Sequence, residues 1–380
     1  MSARYSARHT VCTAVALAAA TVLATAPAAA EPEPRIQPAT GSPASVSALL
    51  TGLQKRYRQA EEAGEAYNAT EEALKKQQAE TVRLSRAVAR ARKAFALSRE
   101  DAGRLAREQY QGGSELSAYL QLLLAKNPRQ ALEQNHLIAR AATGRLATMA
   151  RLETGARRAN ALAAESRRAL DREQTLAARQ RHARDNAAAR LKEVEETLAA
   201  LSAGELAELA ALERSDTTKA QEKLLATGVL DGERNPSEEG GRALGYAVEQ
   251  LGKPYLWGAE GPRSYDCSGL TSQAWARAGR AIPRTSQAQW EQLPKVPLRE
   301  LRPGDLVVYF PEATHVAMYL GDGMVVQAPR PGTRVKVSPI AANPLLGAVR
   351  PDPGGPALSS YTPPELPADT YGRSDEEAES

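Results

Sequence analysis

Between residues 46 and 222 apolar side chains return in alternating three- and four-residue steps. Leu50, Leu53, Tyr57, Ala60, Tyr67 and Leu74 form one series; Leu84, Val88, Ala91, Phe95, Ala102 and Leu105 form a second, offset by a three-residue slip. This spacing gathers the apolar positions into a narrow seam along a helix, the requirement of a coiled coil. Gly112-Gly113 should stop the first helix, and Asn127-Pro128 marks another break. A second long pattern then runs from about Arg129 to Glu213. Two long helices joined by a short elbow predict an antiparallel coiled-coil hairpin over residues 45–214. Its first helix would be about 100 Å long at 1.5 Å per residue.

From Ser215 the periodicity lapses, and residues 215–237 read as a linker. Residues 238–350 carry a different pattern. Leu244, Ala247, Val248 and Leu251 lie on one side of a helix between Gly240 and Gly252. "YDCSGLTSQAWARAG" reads as a helix entered at Asp266 to Ser268 and closed by Gly279. Strand patterns follow at 305–310, 315–320, 324–328 and 334–337, separated by glycines and prolines. Helices followed by a small antiparallel sheet make an α+β domain. Residues 351–380 are rich in Pro, Gly and acids with no core-forming pattern, and read as a disordered tail.

Composition sharpens this division. The region from 46 to 222 holds only Tyr57, Tyr67, Phe95, Tyr110 and Tyr119 as aromatics, too little apolar bulk for a globular core, whereas all three tryptophans fall in 238–350. The formal charge is +4, and a mildly basic body suits an anionic surface such as a bacterial wall or membrane. Alternating charges along the arm read as a solvated face, so no nucleic-acid partner is expected. The Leu-rich elbow "SAYLQLLLAKNP" is where a membrane or division-machinery partner would dock; the rival reading of the arm is a passive spacer or oligomerisation rod.

The N-terminus changes the chemistry that follows. Arg4 and Arg8 precede a small apolar core from Val11 to Ala26, and Ala28-Ala29-Ala30 offers a cleavage site. That is the layout of a secretory signal peptide over residues 1–30, with a secreted or wall-associated product; the run is short and Ala-rich for a membrane anchor. Cleavage after Ala30 removes Cys12 and leaves Cys267 unpaired. A lone cysteine in an exported chain is a reactive thiol, half of an intermolecular bridge, or a buried inert residue. Cys267 stands at a predicted helix start, where the peptide dipole should lower its pKa. His315 is the only histidine in the same domain, and would complete its activation.

At these residues a resemblance becomes specific. "LGKPYLWGAEGPRSYDCSGLTSQAW", "RTSQAQ", "PGDLVVYF", "THVAMYLGDGMVVQAPRPG" and "VKV" resemble, in order, the successive motifs of NlpC/P60 cysteine peptidases across residues 240–350. The arm is similar, more loosely and by composition, to the N-terminal arms of secreted wall hydrolases of that family. The resemblance implies a papain-like core that hydrolyses peptidoglycan stem peptides, typically between D-Glu and a diamino acid, without metal or organic cofactor. It implies Cys267 as nucleophile, His315 as general base and Tyr255 as an oxyanion-site tyrosine. Asp266, Ser268, Arg284 and Ser286 match positions lining the stem-peptide pocket, although Tyr255 could equally pack and Ser268 equally cap.

One position departs from the family pattern. The third triad member is usually the histidine of an "HAP" motif, and here it is Gln327 in "VVQAP". A Gln carbonyl can accept a hydrogen bond from the second ring nitrogen of His315, though without a carboxylate's charge. Hairpin geometry constrains this pairing. A two-residue Asp322-Gly323 turn pairing Gly321 with Met324 would put His315 and Gln327 on opposite sheet faces. A three-residue loop pairing Leu320 with Met324 sets Ala317 opposite Gln327 and His315 diagonally beside it, and is the expected form. Two other classes stay open: a wall-binding scaffold that does not cut, for which Gln327 would be a sign of decay, and an acyltransferase or amidase on the same fold.

Overall fold

The computed structural model describes residues 43–111, 120, 127–232 and 234–366. The signal peptide and most of the elbow lie outside the described residues, as do residues 367–380. No helix among the described residues is long and apolar enough to cross a membrane.

Helix α1 spans Pro43–Gln111 and α2 spans Pro128–Ala199. Arg56 meets Glu193, Gln77 donates to the Ala169 carbonyl, and Phe95 packs on Gly155. Partner numbers fall on α2 as they rise on α1, so the pair is antiparallel. The apolar seam is buried where expected: Leu53, Tyr57 and Ala60 close on Val194, and Leu84 and Val88 are buried further along.

The second arm pattern is not one helix. The chain breaks after Ala199, and Ser202 starts α3 (Ala203–Leu225) with a reciprocal capping box to Glu205. The Ser202-Ala203-Gly204-Glu205 stretch carries this signal in the sequence. Helix α3 also runs on to Leu225, through what reads locally as linker. Its end has tertiary partners that periodicity does not register. Gln221 donates to the Gly323 carbonyl and accepts from the Ala341 N–H, and Leu224 packs against the sheet.

The C-terminal domain contains α4 (Glu238–Val248), α5 (Cys267–Arg277) and α6 (Ser286–Gln292). Its strands are β1 (Lys295–Val296), β2 (Leu306–Tyr309), β3 (His315–Gly321), β4 (Met324–Gln327), β5 (Lys336–Pro339) and β6 (Leu345–Val349). They form one antiparallel sheet in the order β1-β6-β2-β3-β4-β5. Alternation along the strands feeds two cores. Leu306, Val308, Val316, Met318 and Val326 join Leu244, Leu270 and Trp275 from α4 and α5, while Val307, Tyr309, Ala317, Tyr319 and Val325 join Ile340 and Leu224. The arm and an α+β domain with an antiparallel sheet make the architecture expected; β1 and β6 were not anticipated.

Two local expectations are corrected. The β3–β4 turn is the two-residue form, with Asp322 and Gly323 both at positive φ and Gly321 opposite Met324. A bulge between Tyr319 and Gly321 absorbs one residue, so Met318 faces Val326 and the phase is restored. His315 and Gln327 therefore share a face despite the tighter turn. Residues 351–366 are also not a free tail. Asp352 is buried against Arg302 at 3.0 Å and bonds Ser237, while Tyr361 packs on the α4 core. A buried guanidinium needs such partners, and the chain after Pro351 supplies them.

Candidate active site

Helix α5 begins at the thiol because Asp266 caps it, its Oδ1 accepting from the Gly269 N–H at 2.6 Å. A Cβ on Gly269 would stand 2.2 Å from the Ala259 carbonyl oxygen, so the glycine of "DCSG" permits the close approach of the 256–266 loop. Cys267, at the first helical position, is buried beside β3, and the Val316 N–H hydrogen-bonds towards it. Its neighbour His315 is 1 % exposed and places Nε2 at 2.7 Å from Gln327 Oε1. An amide oxygen can only accept, so the neutral ring carries its proton on Nε2 and leaves Nδ1 with a free lone pair. Among the described residues Nδ1 has no hydrogen-bond partner, and Glu61 Oε1 lies 3.6 Å away.

A polar cluster continues from the helix start. Arg284 grips Asp266 with two nitrogens at 2.7 and 3.0 Å, reaches Glu260 at 2.9 Å, and donates to Ser268 Oγ at 2.8 Å. Ser268 Oγ then donates to Glu65 Oε1 at 2.6 Å, and the Ser286 N–H donates to Glu65 Oε2 at 3.0 Å. Asp266 Oδ2 also accepts from the Gly258 N–H and from Asn68 Nδ2. Tyr255 is half-buried and lines a small cavity with Cys267, Trp257, Thr314 and the α1 residues Glu61 and Glu65. All eight residues singled out in the sequence thus lie in one neighbourhood, at the start of α5 and the adjoining ends of β3 and β4.

The electrostatics run against one expectation. The thiol pKa is not lowered by its helix start: burial pushes Cys267 well up, and Glu65, Asp266 and Glu61 add to the rise. Burial also pulls His315 down to about 4, only partly offset by the Gln327 bond. In this arrangement the pair is held as neutral thiol and neutral imidazole. Burial likewise raises Glu61 well above the carboxylate range, and burial together with Asp266 brings Glu65 up to about 7. Burial of the thiol, reinforced by its acidic neighbours, opposes thiolate formation more strongly than one helix terminus favours it.

The sequence reading missed Glu61, Gly64, Glu65 and Asn68. A faint signal existed. Gly64 falls in the α1 seam between Ala60 and Tyr67, at a slot where the repeat asks for an apolar side chain. It also missed Gln289, which is buried and joins α6 to α5 through Thr271 Oγ1 and the Ser268 carbonyl.

Residues 252–346 match the model of the NlpC/P60 family. The C-terminal domain is an NlpC/P60 domain. A probable endopeptidase of Corynebacterium glutamicum is 42 % identical over 116 residues, covering 30 % of this chain and 56 % of its own. A probable endopeptidase of Mycobacterium tuberculosis is 39 % identical over 105 residues, 27 % of each chain. The matches thus span little more than half of the first relative and about a quarter of the second. Among solved structures, the NlpC/p60 domain of the peptidoglycan hydrolase SagA is 32 % identical, covering 29 % of this chain and 97 % of that one at a TM-score of 0.28. RipD of Mycobacterium tuberculosis, described as a non-catalytic NlpC/p60 domain protein, is 32 % identical over 30 % and 98 % of the two chains, also at 0.28. Every α1 residue at the thiol lies outside the NlpC/P60 match.

That Gln327 positions the His315 ring is an expectation drawn from their hydrogen bond, with a direct test. Gln327→Leu keeps the volume but removes the acceptor, which frees the ring tautomer and should cut kcat by about 10²-fold, part of what an oriented general base supplies. Gln327→His restores a ring-nitrogen acceptor and should retain activity. Nitrogen-15 spectra of the His315 ring should show the Nε2–H tautomer in wild type and a mixture in Gln327→Leu. An unchanged tautomer with unchanged kcat would remove Gln327 from the mechanism.

Proposed function

We propose that this chain is an exported, wall-associated hydrolase that cleaves amide bonds in peptidoglycan stem peptides through Cys267 and His315. The observation that carries the reading is the His315–Gln327 pair, whose 2.7 Å bond leaves Nδ1 as the basic atom next to the strand residue that touches the thiol. The family match and the names of the relatives support the substrate class. Nδ1 takes the thiol proton, the thiolate attacks the stem carbonyl, and the imidazolium returns the proton to the leaving amine. Water, deprotonated by the same ring, then releases the acyl group from sulfur. The Ser268, Ser286 and Arg284 donors would orient the stem, and Tyr255 would stand near the developing oxyanion. The bond between D-Glu and a diamino acid is the one expected to be cut.

The test is incubation of the mature chain, residues 31–380, with purified stem peptides and mass analysis of the fragments. New amine and acid termini at a single stem bond are expected. Sedimentation with intact wall without any cleavage, at high protein and in variants with the arm loosened, would select the wall-binding scaffold instead.

A further inference from the structure

One face of α1 lies across the thiol, and its residues fit the domain individually. From Tyr57 to Lys75 this stripe makes successive contacts. Arg330 stacks over the Tyr57 ring at 4.6 Å, Glu61 faces His315, and Glu65 accepts from Ser268 and Ser286. Asn68 bonds Asp266, and Lys75 reaches Glu260 at 3.8 Å. Cys267 Sγ itself points at Glu65 Oε1, 3.7 Å away.

Two features show that α1 is shaped for this seat. The first is Gly64. Glycine inside a helix costs about 1 kcal/mol relative to alanine, so its presence needs a reason. Here the Trp257 ring occupies the space a side chain would need: a Cβ on Gly64 would lie 2.6 Å from two of its atoms. The same ring packs against Tyr67 in a tilted arrangement, with centroids 4.7 Å apart. The second is charge. Glu61 and Glu65 are nearly or fully buried, which carboxylates avoid unless they are partnered. Glu65 has its partners in a hydroxyl and a backbone N–H of the domain, with Arg284 behind the hydroxyl.

A second anchor stands beside the first. Glu213 of α3 holds Arg330 through two bonds at 2.7 and 2.9 Å, and Gln221 bonds Gly323 and Ala341. Arg330 therefore joins α1, α3 and the domain, so a movement of the arm would be passed to the seat of α1.

We infer that α1 is a built-in plug: Glu65 takes the place of a substrate carboxylate beside Cys267, Glu61 covers His315, and stem peptides enter only when the arm lifts α1 away. What is inhibited rests on the hydrolase reading above; where α1 sits does not. The occupied donors explain the choice of a carboxylate, since Ser268, Ser286 and Arg284 together offer hydrogen-bond donors and positive charge. In the seated state the substrate's path to the thiol is filled by the protein's own chain.

The experiment uses the full mature chain carrying Gly64→Leu or Glu65→Ala. Leucine is the better helix former, so Gly64→Leu should strain the seat against Trp257 without weakening α1 itself. Glu65→Ala deletes the carboxylate and leaves the seat's shape. Two readouts are taken: the alkylation rate at Cys267 with iodoacetamide, mapped by peptide mass, and stem-peptide turnover. Both variants should label at least tenfold faster than wild type and turn over faster in proportion. Labelling as slow as wild type in both, with helicity and unfolding unchanged, would overturn the plug. Faster labelling with no cleavage would support the plug and overturn the hydrolase reading. Cleavage by wild type as fast as by both variants would retain the hydrolase and overturn the plug.

Discussion

Cys267→Ala should abolish stem-peptide cleavage, with an expected loss of about 10⁴-fold or more, while the domain should unfold at nearly the wild-type denaturant concentration. The size follows from the chemistry: without sulfur there is no acyl-enzyme, and the remaining donors supply only binding and orientation. The small stability effect follows from the site. Cys267 is buried at the first position of α5, but the helix cap is Asp266, so alanine leaves capping intact and removes only one sulfur atom's packing. Turnover and unfolding are best measured in the Gly64→Leu background, where the thiol is expected to be accessible. Residual cleavage within tenfold of the parent would show that another group is the nucleophile. A chelator should leave the rate unchanged; loss of activity restored by zinc would point to a metal mechanism.

The second large effect is on stability. Arg284→Met should destabilise the NlpC/P60 domain by about 3–5 kcal/mol, because it strands Asp266 as a buried charge without its counter-ion. Asp266 is 1 % exposed and Arg284 is its only cationic partner among the described residues. Arg284→Lys should recover little, since an ammonium cannot serve Asp266, Glu260 and Ser268 at once as the guanidinium fork does. The double variant Arg284→Met/Asp266→Asn should recover part of the loss, as asparagine can still cap α5 without burying a charge. All three tryptophans lie in the domain, so fluorescence-detected urea unfolding follows it, with Trp257 also reporting the α1 contact. A shift under about 1 kcal/mol for Arg284→Met would mean the pair is solvated in solution, as exposed pairs are.

At this site the groups that hold the fold together are the same ones proposed to recognise substrate. Asp266 caps a helix, anchors a loop through the Gly258 N–H and neutralises Arg284, all with two oxygens. Its location in a matched motif says nothing about which of these tasks it serves. Ser268 is easier to interpret. Its hydroxyl accepts from Arg284 and donates outward to Glu65, so it does not cap α5 and faces whatever occupies the site.

What could be read along the chain was whatever depends on neighbours in sequence. The three-four seam specified two long helices because side chains three and four apart share a helix face, whatever lies opposite. Asp266 before Cys267 marked a helix start because a cap bonds within its own first turn, and Ser202 with Glu205 carried the same local signal. The ordered motifs placed Cys267, His315 and Gln327 in one domain for a related reason: each stands at an element end that its own glycines and prolines define. Tertiary structure alone decided the rest. The face shared by His315 and Gln327 depends on a bulge at Leu320, which pairs strands rather than residues and leaves no mark in the turn sequence. The ordered stretch after Pro351 exists because Arg302, fifty residues earlier in the Asp352 contact, requires acceptors. Above all, Glu65 meets Ser268 across a separation of 203 residues. Helical periodicity shows that Glu61 and Glu65 lie beside an apolar seam, but a polar residue there is by default solvated. Only the packing of α1 over α5 removes that water, and the burial it brings raises the thiol and the two arm glutamates together.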